Sequence, residues 1–159
     1  MIAKTGKSHQ DQFFLVGISV RTTNQNGQSA QDIGGLWTRF TTENLGQQIT
    51  GKLSDDMYCV YTDYESDYTG PYTAVLGCRV SSLDDIPEGF KGITVPDGDY
   101  QVYYLEGRFP ANIGAAWQQI WNSDINRKYA SDYDWYKAGA KSFEETEARI
   151  YLGVNRNRD

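Results

Sequence analysis

The sequence predicts an α+β fold in which one β-α-β-β unit occurs twice, giving an antiparallel sheet with two helices on one side. The first observation is a repeat at a distance of 80 positions, where Asp32-Ile33-Gly34-Gly35-Leu36-Trp37 recurs as Asn112-Ile113-Gly114-Ala115-Ala116-Trp117. In both copies the apolar residues have the spacing of an amphipathic helix. The second observation is that strand-like runs flank each copy. Repeats of this size pack against each other, and two such halves leave a cleft along their seam.

The first half begins with residues 1–12, a polar segment without a period that we expect to be a loosely attached tail. The next run, residues 13–21, has apolar residues at its even positions and predicts a strand. A polar loop then leads to Asp32, which is placed to cap a helix that ends near residue 45. Two further strand patterns predict a hairpin, at residues 57–64 and 72–80.

The second half begins after the turn signal Pro96-Asp97-Gly98, with a strand pattern at residues 100–107. Asn112 is placed to cap the second helix. The remaining predicted elements are that helix at 113–125, a short strand at 133–136 and a last strand at 147–154. The predicted domain covers residues 13–154, with pseudo-repeats at about 13–82 and 97–154 and a C-terminal tail at 155–159.

Composition narrows the classes of function. The net charge is −6, from 15 Lys and Arg against 21 Asp and Glu, which argues against direct nucleic-acid binding and favours cationic partners. No apolar run is long enough to span a bilayer and no export leader is present, so we expect a cytoplasmic protein without membrane association. His9 is the single histidine, which excludes a Ser-His or Cys-His nucleophile pair and a multi-His metal site. We expect no metal and no cofactor, and buried free thiols at Cys59 and Cys78.

Aromatic residues are abundant, at 14% of the chain with 12 tyrosines. Asp134 stands among them on a predicted strand with Tyr136 on the same side, and Glu147 begins the following strand, so both carboxylates can reach one side of a hairpin. An anionic centre inside an aromatic box would bind an organic cation, at about 0.5–2 kcal/mol per stacked ring. The alternative is that Asp134 pairs with Arg149 across the hairpin and that both only solvate an edge.

The tryptophans of the two helices are candidate ligand platforms, although a tryptophan on the apolar stripe of a helix is more often part of the core. Trp117 and Trp121 share a helix face, so one can pack inward while the other borders the cleft. The strand tyrosines are open to the same two interpretations, because cross-strand tyrosines stabilise hairpins without any ligand. The predicted ligand-binding residues are Trp37, Tyr61, Tyr104, Trp117, Trp121, Asp134, Tyr136, Glu147 and Tyr151.

A set of segments in fixed order carries a family resemblance. They are Trp37, the strand from Tyr58 with Thr62-Asp63-Tyr64-Glu65-Ser66-Asp67, the strand Tyr72-Thr73 to Leu76-Gly77 and Val80, Val95-Pro96-Asp97-Gly98-Asp99-Tyr100, Trp117 to Trp121 and Asp132-Tyr133-Asp134-Trp135-Tyr136. Together they resemble the GyrI-like effector-binding domain, over about residues 13–154. That family includes the ligand-sensing halves of AraC-type and MerR-type multidrug regulators, stand-alone gyrase-inhibitory-like proteins and drug-binding integron cassette proteins, which this chain resembles in size.

The resemblance implies a duplicated β-α-β-β fold whose cleft binds amphipathic, aromatic and often cationic compounds over a buried carboxylate. The central acid of the family is typically a glutamate in a Phe-Glu-x-Tyr pattern. Asp134 stands at that position here, followed by Trp135 and Tyr136, and Glu147 matches a second acidic position on the last strand. The shorter aspartate implies either a deeper pocket or a role that is shared with Glu147.

Three functions are open at this point, and the binding function is preferred. The first is a stand-alone domain, a monomer or weak homodimer, that sequesters or senses a cationic, amphipathic aromatic small molecule and acts on transcription only through a protein partner. The second is a hydrolase of strained-ring toxins, in which Asp134 or Glu147 would activate water and a tyrosine would donate a proton. The third is a protein-binding inhibitor of gyrase that works through its acidic surface.

Overall fold

The structure is a computed structural model that describes residues 2–139, 142 and 145–155. Its elements in chain order are β1 (Ile2–Gln10), β2 (Phe13–Thr22), α1 (Gln28–Thr42), β3 (Met57–Thr62), β4 (Tyr72–Val80), β5 (Lys91–Val95), β6 (Gly98–Leu105), α2 (Ala111–Trp121), β7 (Ser131–Tyr136) and β8 (Ala148–Gly153). Short 3-10 turns flank α1 at Gln25–Gly27 and Leu45–Gln48. Neither helix of the described part has the length and apolar character needed to cross a membrane.

The strands form one antiparallel sheet in the order β1-β6-β8-β7-β3-β4-β2-β5. This order is symmetrical about the central pair β7–β3. The units β2-α1-β3-β4 and β6-α2-β7-β8 lie on either side of that pair, and β1 and β5 close the two outer edges. The fold class predicted from the sequence, α+β with duplicated β-α-β-β units, is therefore confirmed.

Both helices pack on the same face of the sheet. Leu36 and Phe40 of α1 are buried in a cluster with residues of β2 and β4, and Ala116 and Ile120 of α2 are buried with residues of β6 and β8. These are equivalent positions of the two repeats. The apolar stripe predicted from the sequence thus buries the same side of each helix, and the two helices lie on either side of the central strand pair, α1 on β2 and β4 and α2 on β6 and β8.

The opposite face of the sheet holds a second apolar cluster that is covered by neither α1 nor α2. Its buried members are Phe13, Leu15, Tyr58, Val60, Val75, Val95, Tyr100, Val102 and Tyr133. The ring centres of Phe13 on β2 and Tyr133 on β7 are 5.2 Å apart, although β3 and β4 separate these strands in the sheet. The sheet therefore curls around this cluster, and both of its faces are buried.

Two opposed glycines allow β2 and β4 to approach closely. Gly17 pairs with Gly77, and a Cβ added to Gly17 would lie 2.0 Å from the carbonyl oxygen of Leu76. A Cβ added to Gly77 would lie equally close, 2.0 Å, from the carbonyl oxygen of Val16. No side chain fits at either position, so this glycine pair is required for the close approach of the two strands.

The prediction of an N-terminal tail is wrong, because Ile2–Gln10 forms β1 and pairs with β6 from Ile2↔Leu105 to Gln10↔Gly98. A polar sequence is suited to β1 because this strand lies at an edge of the sheet. An edge strand is paired along only one side and leaves much of its length in water, so it needs neither an apolar row nor a regular period. Residues 156–159 of the predicted C-terminal tail lie outside the described residues.

The predicted helix caps are also wrong, because both helices begin earlier. Asp32 lies inside α1, where its Oδ2 accepts a hydrogen bond of 3.1 Å from Nε2 of Gln28, and the residue before the helix is Gly27 with a left-handed φ of 70°. Asn112 is the second residue of α2 and donates from Nδ2 to the carbonyl oxygen of Gly107 at 3.4 Å. The second helix also ends at Trp121, four residues before the predicted end.

Candidate functional site

Asp134 lies near the centre of the sheet, on the face that the helices cover. It is 1% exposed and stands opposite Cys59 in the central pair β7–β3. Because side chains alternate along a strand, Asp132, Asp134 and Tyr136 project from β7 toward the same side. The acid is therefore buried on the face of the sheet against which Trp37 of α1 and Trp117 of α2 pack.

Three neutral groups donate hydrogen bonds to this carboxylate. The hydroxyls of Tyr61 and Tyr136 donate to Oδ2 at 2.5 and 3.0 Å, and the indole Nε1 of Trp117 donates to Oδ1 at 2.9 Å. The donors come from β3, β7 and α2, so the position of the carboxylate is determined from three elements. Among the ion pairs of the described residues, none involves Asp134. The acid is thus well oriented but lacks a countercharge there.

Burial raises the pKa of Asp134 to about 7, while the hydrogen bonds from Tyr61, Trp117 and Tyr136 act in the opposite direction. Burial, together with the charge of Asp134, raises the pKa of Tyr61 and of Tyr136 well above the ordinary value. Both tyrosines are consequently protonated donors at neutral pH. Asp134 itself changes its charge in the physiological range.

Aromatic rings from both helices flank the acid. The ring of Trp37 on α1 meets Tyr136 edge-on at 4.9 Å between centres and lies 5.7 Å from Phe109. On the other side, Trp117 meets Tyr61 edge-on at 5.4 Å. Both tryptophans are only partly buried, so solvent reaches part of each ring while Asp134 itself is covered. This arrangement can receive a flat or cationic group over a negative charge.

The structure brings together five of the predicted ligand-binding residues, namely Trp37, Tyr61, Trp117, Asp134 and Tyr136. Trp121 lies one turn beyond Trp117 at the end of α2, and its ring is nearly parallel to that of Tyr68, with 6.1 Å between centres and 8° between planes. Tyr68 belongs to the loop between β3 and β4, so Trp121 contacts that loop rather than the acid.

The other three predicted residues lie elsewhere. Tyr104 and Tyr151 pack with the cluster on the opposite face of the sheet, where Tyr151 stacks on Tyr133 at 4.6 Å. Glu147 is exposed and its carboxylate is 3.7 Å from Nη2 of Arg149. Asp134 pairs with Ile150, so the residues at 147, 149 and 151 point to the other side. The expectation that Glu147 reaches the same side as Asp134 is therefore wrong.

The alternative of a pair between Asp134 and Arg149 is wrong for the same reason. Arg149 stands opposite Trp135, and its guanidinium carbon lies 4.5 Å from the centre of that indole ring. Trp135 in turn donates from Nε1 to Asp56 at 3.0 Å. These groups form a separate contact on the opposite face, which leaves Asp134 without a charged partner on its strand neighbours.

The sequence analysis missed a second buried acid, Asp132, and its partner Arg127. Asp132 is 0% exposed and accepts hydrogen bonds from Nη2 of Arg127 at 2.8 Å, from the backbone N–H of Gly153 at 2.7 Å and from the hydroxyl of Tyr64. Asp132 precedes Asp134 by two positions and lies directly before the strand predicted at 133–136, which in the structure begins at Ser131. The alternation alone could therefore have placed both acids on one face.

A second repeat in the sequence also marks this site. Tyr58-Cys59-Val60-Tyr61 recurs as Tyr133-Asp134-Trp135-Tyr136, with the tyrosines at the same spacing. The two copies pair antiparallel, with Cys59 opposite Asp134, so Tyr61 and Tyr136 occupy equivalent positions on either side of the acid. This pattern could have identified the central strand pair before the structure was known.

The chain is similar to known proteins over nearly its whole length. It is 23% identical over 154 residues to YobU of Bacillus subtilis (strain 168), a protein named as a proposed transcriptional regulator. The alignment covers 94% of this chain and 96% of that protein. The integron cassette protein VCH_CASS2 of Vibrio cholerae is 26% identical, with a TM-score of 0.75 and coverage of 97% of each chain. The structure of SAV2435 bound to tetraphenylphosphonium has a TM-score of 0.78 at 19% identity and shares the fold, covering 96% of this chain and 94% of that one.

A protein-family comparison agrees with these likenesses. The family model described as an integron-associated effector binding protein matches residues 8–154. The match includes both β-α-β-β units, the central strand pair and the buried acid of β7. The chain therefore belongs to the family of integron-associated effector binding proteins, Cass2.

Proposed function

We propose that this protein binds an aromatic organic cation whose positive centre lies against Asp134, and that it sequesters or senses such compounds. One observation carries the proposal: a carboxylate that is 1% exposed receives three hydrogen bonds and has no cationic partner among the ion pairs of the described residues. Buried charges in proteins are normally paired. A cationic ligand would supply the missing charge.

The surroundings of the acid suit such a ligand. Trp37 and Trp117 are partly exposed rings on either side of the site, and cation–π contacts contribute about 0.5–2 kcal/mol per ring, with the larger values where water is excluded. The tyrosine and indole donors hold the carboxylate in place without neutralising it. Little reorganisation is then needed when a cation arrives, which favours affinity.

The comparisons support the same class of ligand. Membership in an effector-binding family agrees with small-molecule binding, and the related fold of SAV2435 has been solved with tetraphenylphosphonium, a lipophilic aromatic cation. The regulator name of YobU favours a sensing role in which the ligand changes a contact with a protein partner. We propose this role for the domain as the second step after ligand binding.

Calorimetric titration at pH 8 with tetraphenylphosphonium and with neutral triphenylphosphine oxide tests the proposal. We expect saturable binding of the cation, and Asp134→Asn should weaken it by about tenfold or more while leaving the neutral compound unchanged. Asp56→Asn is the matched control, because Asp56 also accepts an indole N–H, from Trp135, but belongs to another contact. Equal weakening of both compounds by Asp134→Asn would contradict the charge role.

A further inference from the structure

Arg127 is a buried cation beside the site, and its hydrogen bonding is incomplete. Its side chain is 3% exposed, and Nη2 forms the 2.8 Å ion pair with Asp132. Nε and Nη1 are also buried, yet they have no hydrogen-bond partner within the part of the chain that the structure describes. A buried donor without a partner costs about 1–3 kcal/mol, and more when it is charged. Two such donors on one guanidinium indicate that an acceptor is missing here.

The guanidinium lies close to the proposed ligand site. Its central carbon is 5.7 Å from the ring centre of Trp117, whose indole N–H donates to Asp134. Asp132 and Asp134 are two residues apart on one strand face, a separation of about 7 Å. A single aromatic molecule is long enough to approach both Asp134 and Arg127, with Trp117 between them.

Tyr129 covers the guanidinium in a conformation that can be given up. Its ring centre is 4.3 Å from the central carbon of Arg127, and its backbone has a φ of 55°, in the left-handed region. For a residue other than glycine this conformation costs on the order of 1–3 kcal/mol. A change of this backbone to an ordinary φ would relieve that strain and would also carry the ring away from the guanidinium of Arg127.

The net charge of the buried residues favours a ligand with one positive charge. The buried charged residues of the described chain are Arg127, Asp132 and Asp134, which sum to −1 when all are ionised. One positive charge at Asp134 therefore makes the site neutral. A second positive charge near Arg127 would be repelled, and a carboxylate there would be repelled by Asp132 and would restore the net charge of −1, whereas the oxygen of a neutral carbonyl group would be attracted without a change in net charge.

We propose that Arg127 forms a second polar subsite that takes a hydrogen-bond acceptor of the ligand. The preferred ligand is then an aromatic monocation that also carries a neutral carbonyl group. This inference rests on the proposed function, because it assigns the far end of the same ligand. Arg127 binds the acceptor through Nε and Nη1, while Asp132 retains Nη2 and keeps the guanidinium in place.

Three dyes with the same xanthylium cation test this subsite: tetramethylrosamine has no acceptor, the methyl ester of tetramethylrhodamine has a carbonyl, and tetramethylrhodamine has a carboxylate. We expect the wild-type protein to bind the methyl ester about tenfold more tightly than the rosamine, with tetramethylrhodamine, whose net charge is zero, between them. In Arg127→Gln/Asp132→Asn, which removes both charges of the ion pair together, the ratio should fall to about one. Arg149→Gln on the opposite face is the control and should keep the wild-type ratio.

Each outcome decides a separate point. If all three dyes bind the wild-type protein equally, or the rosamine binds most tightly, the subsite is overturned while the cation site stands. If none binds, both proposals fall. Should the double variant not fold, as judged by near-ultraviolet circular dichroism, Arg127→Lys keeps the charge without the planar set of donors, and an unchanged preference for the ester over the rosamine there overturns the subsite.

Discussion

The indole N–H of Trp117 and Oδ1 of Asp134 are 2.9 Å apart, and this hydrogen bond connects α2 directly to the central strand β7. The same indole ring is partly exposed and lies against Tyr61. A change at the acid is therefore transmitted to a residue of the helix surface. This link makes Trp117 both a part of the proposed site and a reporter of its occupancy.

Replacing Trp117 by phenylalanine should keep an aromatic ring and remove the donor. Because that N–H is one of the groups that lower the pKa of Asp134, its loss should raise the pKa further and weaken cation binding at pH 7 by about three- to tenfold. Isothermal titration at pH 7 and pH 9 measures this, and part of the loss should be recovered at pH 9. Trp135→Phe, which removes the N–H donated to Asp56, should leave the affinity unchanged.

Cation affinity should rise with pH through the neutral range. Asp134 has a pKa of about 7 in the free protein, held up by burial, and only its ionised form attracts a cation. Between pH 8 and pH 5 the affinity for tetraphenylphosphonium should therefore fall by roughly 100-fold, about tenfold per unit below the pKa. The groups that face Asp134 are Tyr61, Tyr136, Trp117 and Cys59, with Asp132 beside it on β7. A flat profile in wild type, or the same slope in Asp134→Asn, would contradict this.

The stability of Asp134→Asn should exceed that of the wild-type protein at high pH. Burial raises the pKa of Asp134 to about 7 in the folded protein, against about 3.9 for an aspartate in an unfolded chain, so between these values the unfolded chain is ionised while the folded protein keeps its proton. The wild-type protein therefore loses stability as the pH rises through this window, on the order of 2–4 kcal/mol by pH 8. Melting curves should show a difference between variant and wild type that grows by several degrees from pH 4 to pH 8.

Residues on the opposite face should not affect ligand binding. Tyr104→Phe, Tyr151→Phe and Glu147→Gln remove groups that lie away from Asp134, and we expect less than a twofold change in cation affinity for each. Tyr136→Phe is the comparison, because it removes a hydrogen bond of 3.0 Å to the acid and should weaken binding about threefold or more. A loss of affinity in Glu147→Gln that matched the loss in Tyr136→Phe would mean that the last strand takes part.

Substitution in the glycine pair Gly17 and Gly77 should destabilise the fold. Gly17→Ala would place a Cβ 2.0 Å from a backbone oxygen, which cannot move without breaking the β2–β4 pairing. We expect a loss of about 3 kcal/mol or more in the free energy of unfolding, measured by urea denaturation. Gly6→Ala on the edge strand β1 is the matched control, since nothing lies within 4 Å of the added Cβ there. Similar losses in both variants would contradict the close approach.

The duplicated architecture could be predicted because its signal is strong and local. The apolar stripes that include Trp37 and Trp117 recur at a fixed distance, and each forms a helix on the same face of the sheet. The helix starts could not be predicted from Asp32 and Asn112, since a capping side chain favours a start without preventing an earlier one. The strand β1 was missed because a polar edge strand has no apolar row by which to recognise it.

The site was predicted in part, and the wrongly included strand residues have one physical cause. Alternation shows that Tyr104 and Tyr151 share a face with their neighbours two positions away, but both faces of this sheet are buried, so apolar and aromatic residues occupy both rows. The pattern cannot tell which row lies under the helices. Arg127 was missed for a different reason: it lies in the irregular segment between α2 and β7, where no period applies.

Cys59 stands opposite Asp134 in the central strand pair, so only one of the two equivalent positions carries an acid. Two identical subunits that met in this way would place either two carboxylates about 5 Å apart, which would share a proton, or no acid at all. Because both units belong to one polypeptide, the sequence can differ at this position alone. A nearly symmetrical pair of units thereby carries one unpaired carboxylate at its centre, and its single negative charge matches the charge of a monovalent cation.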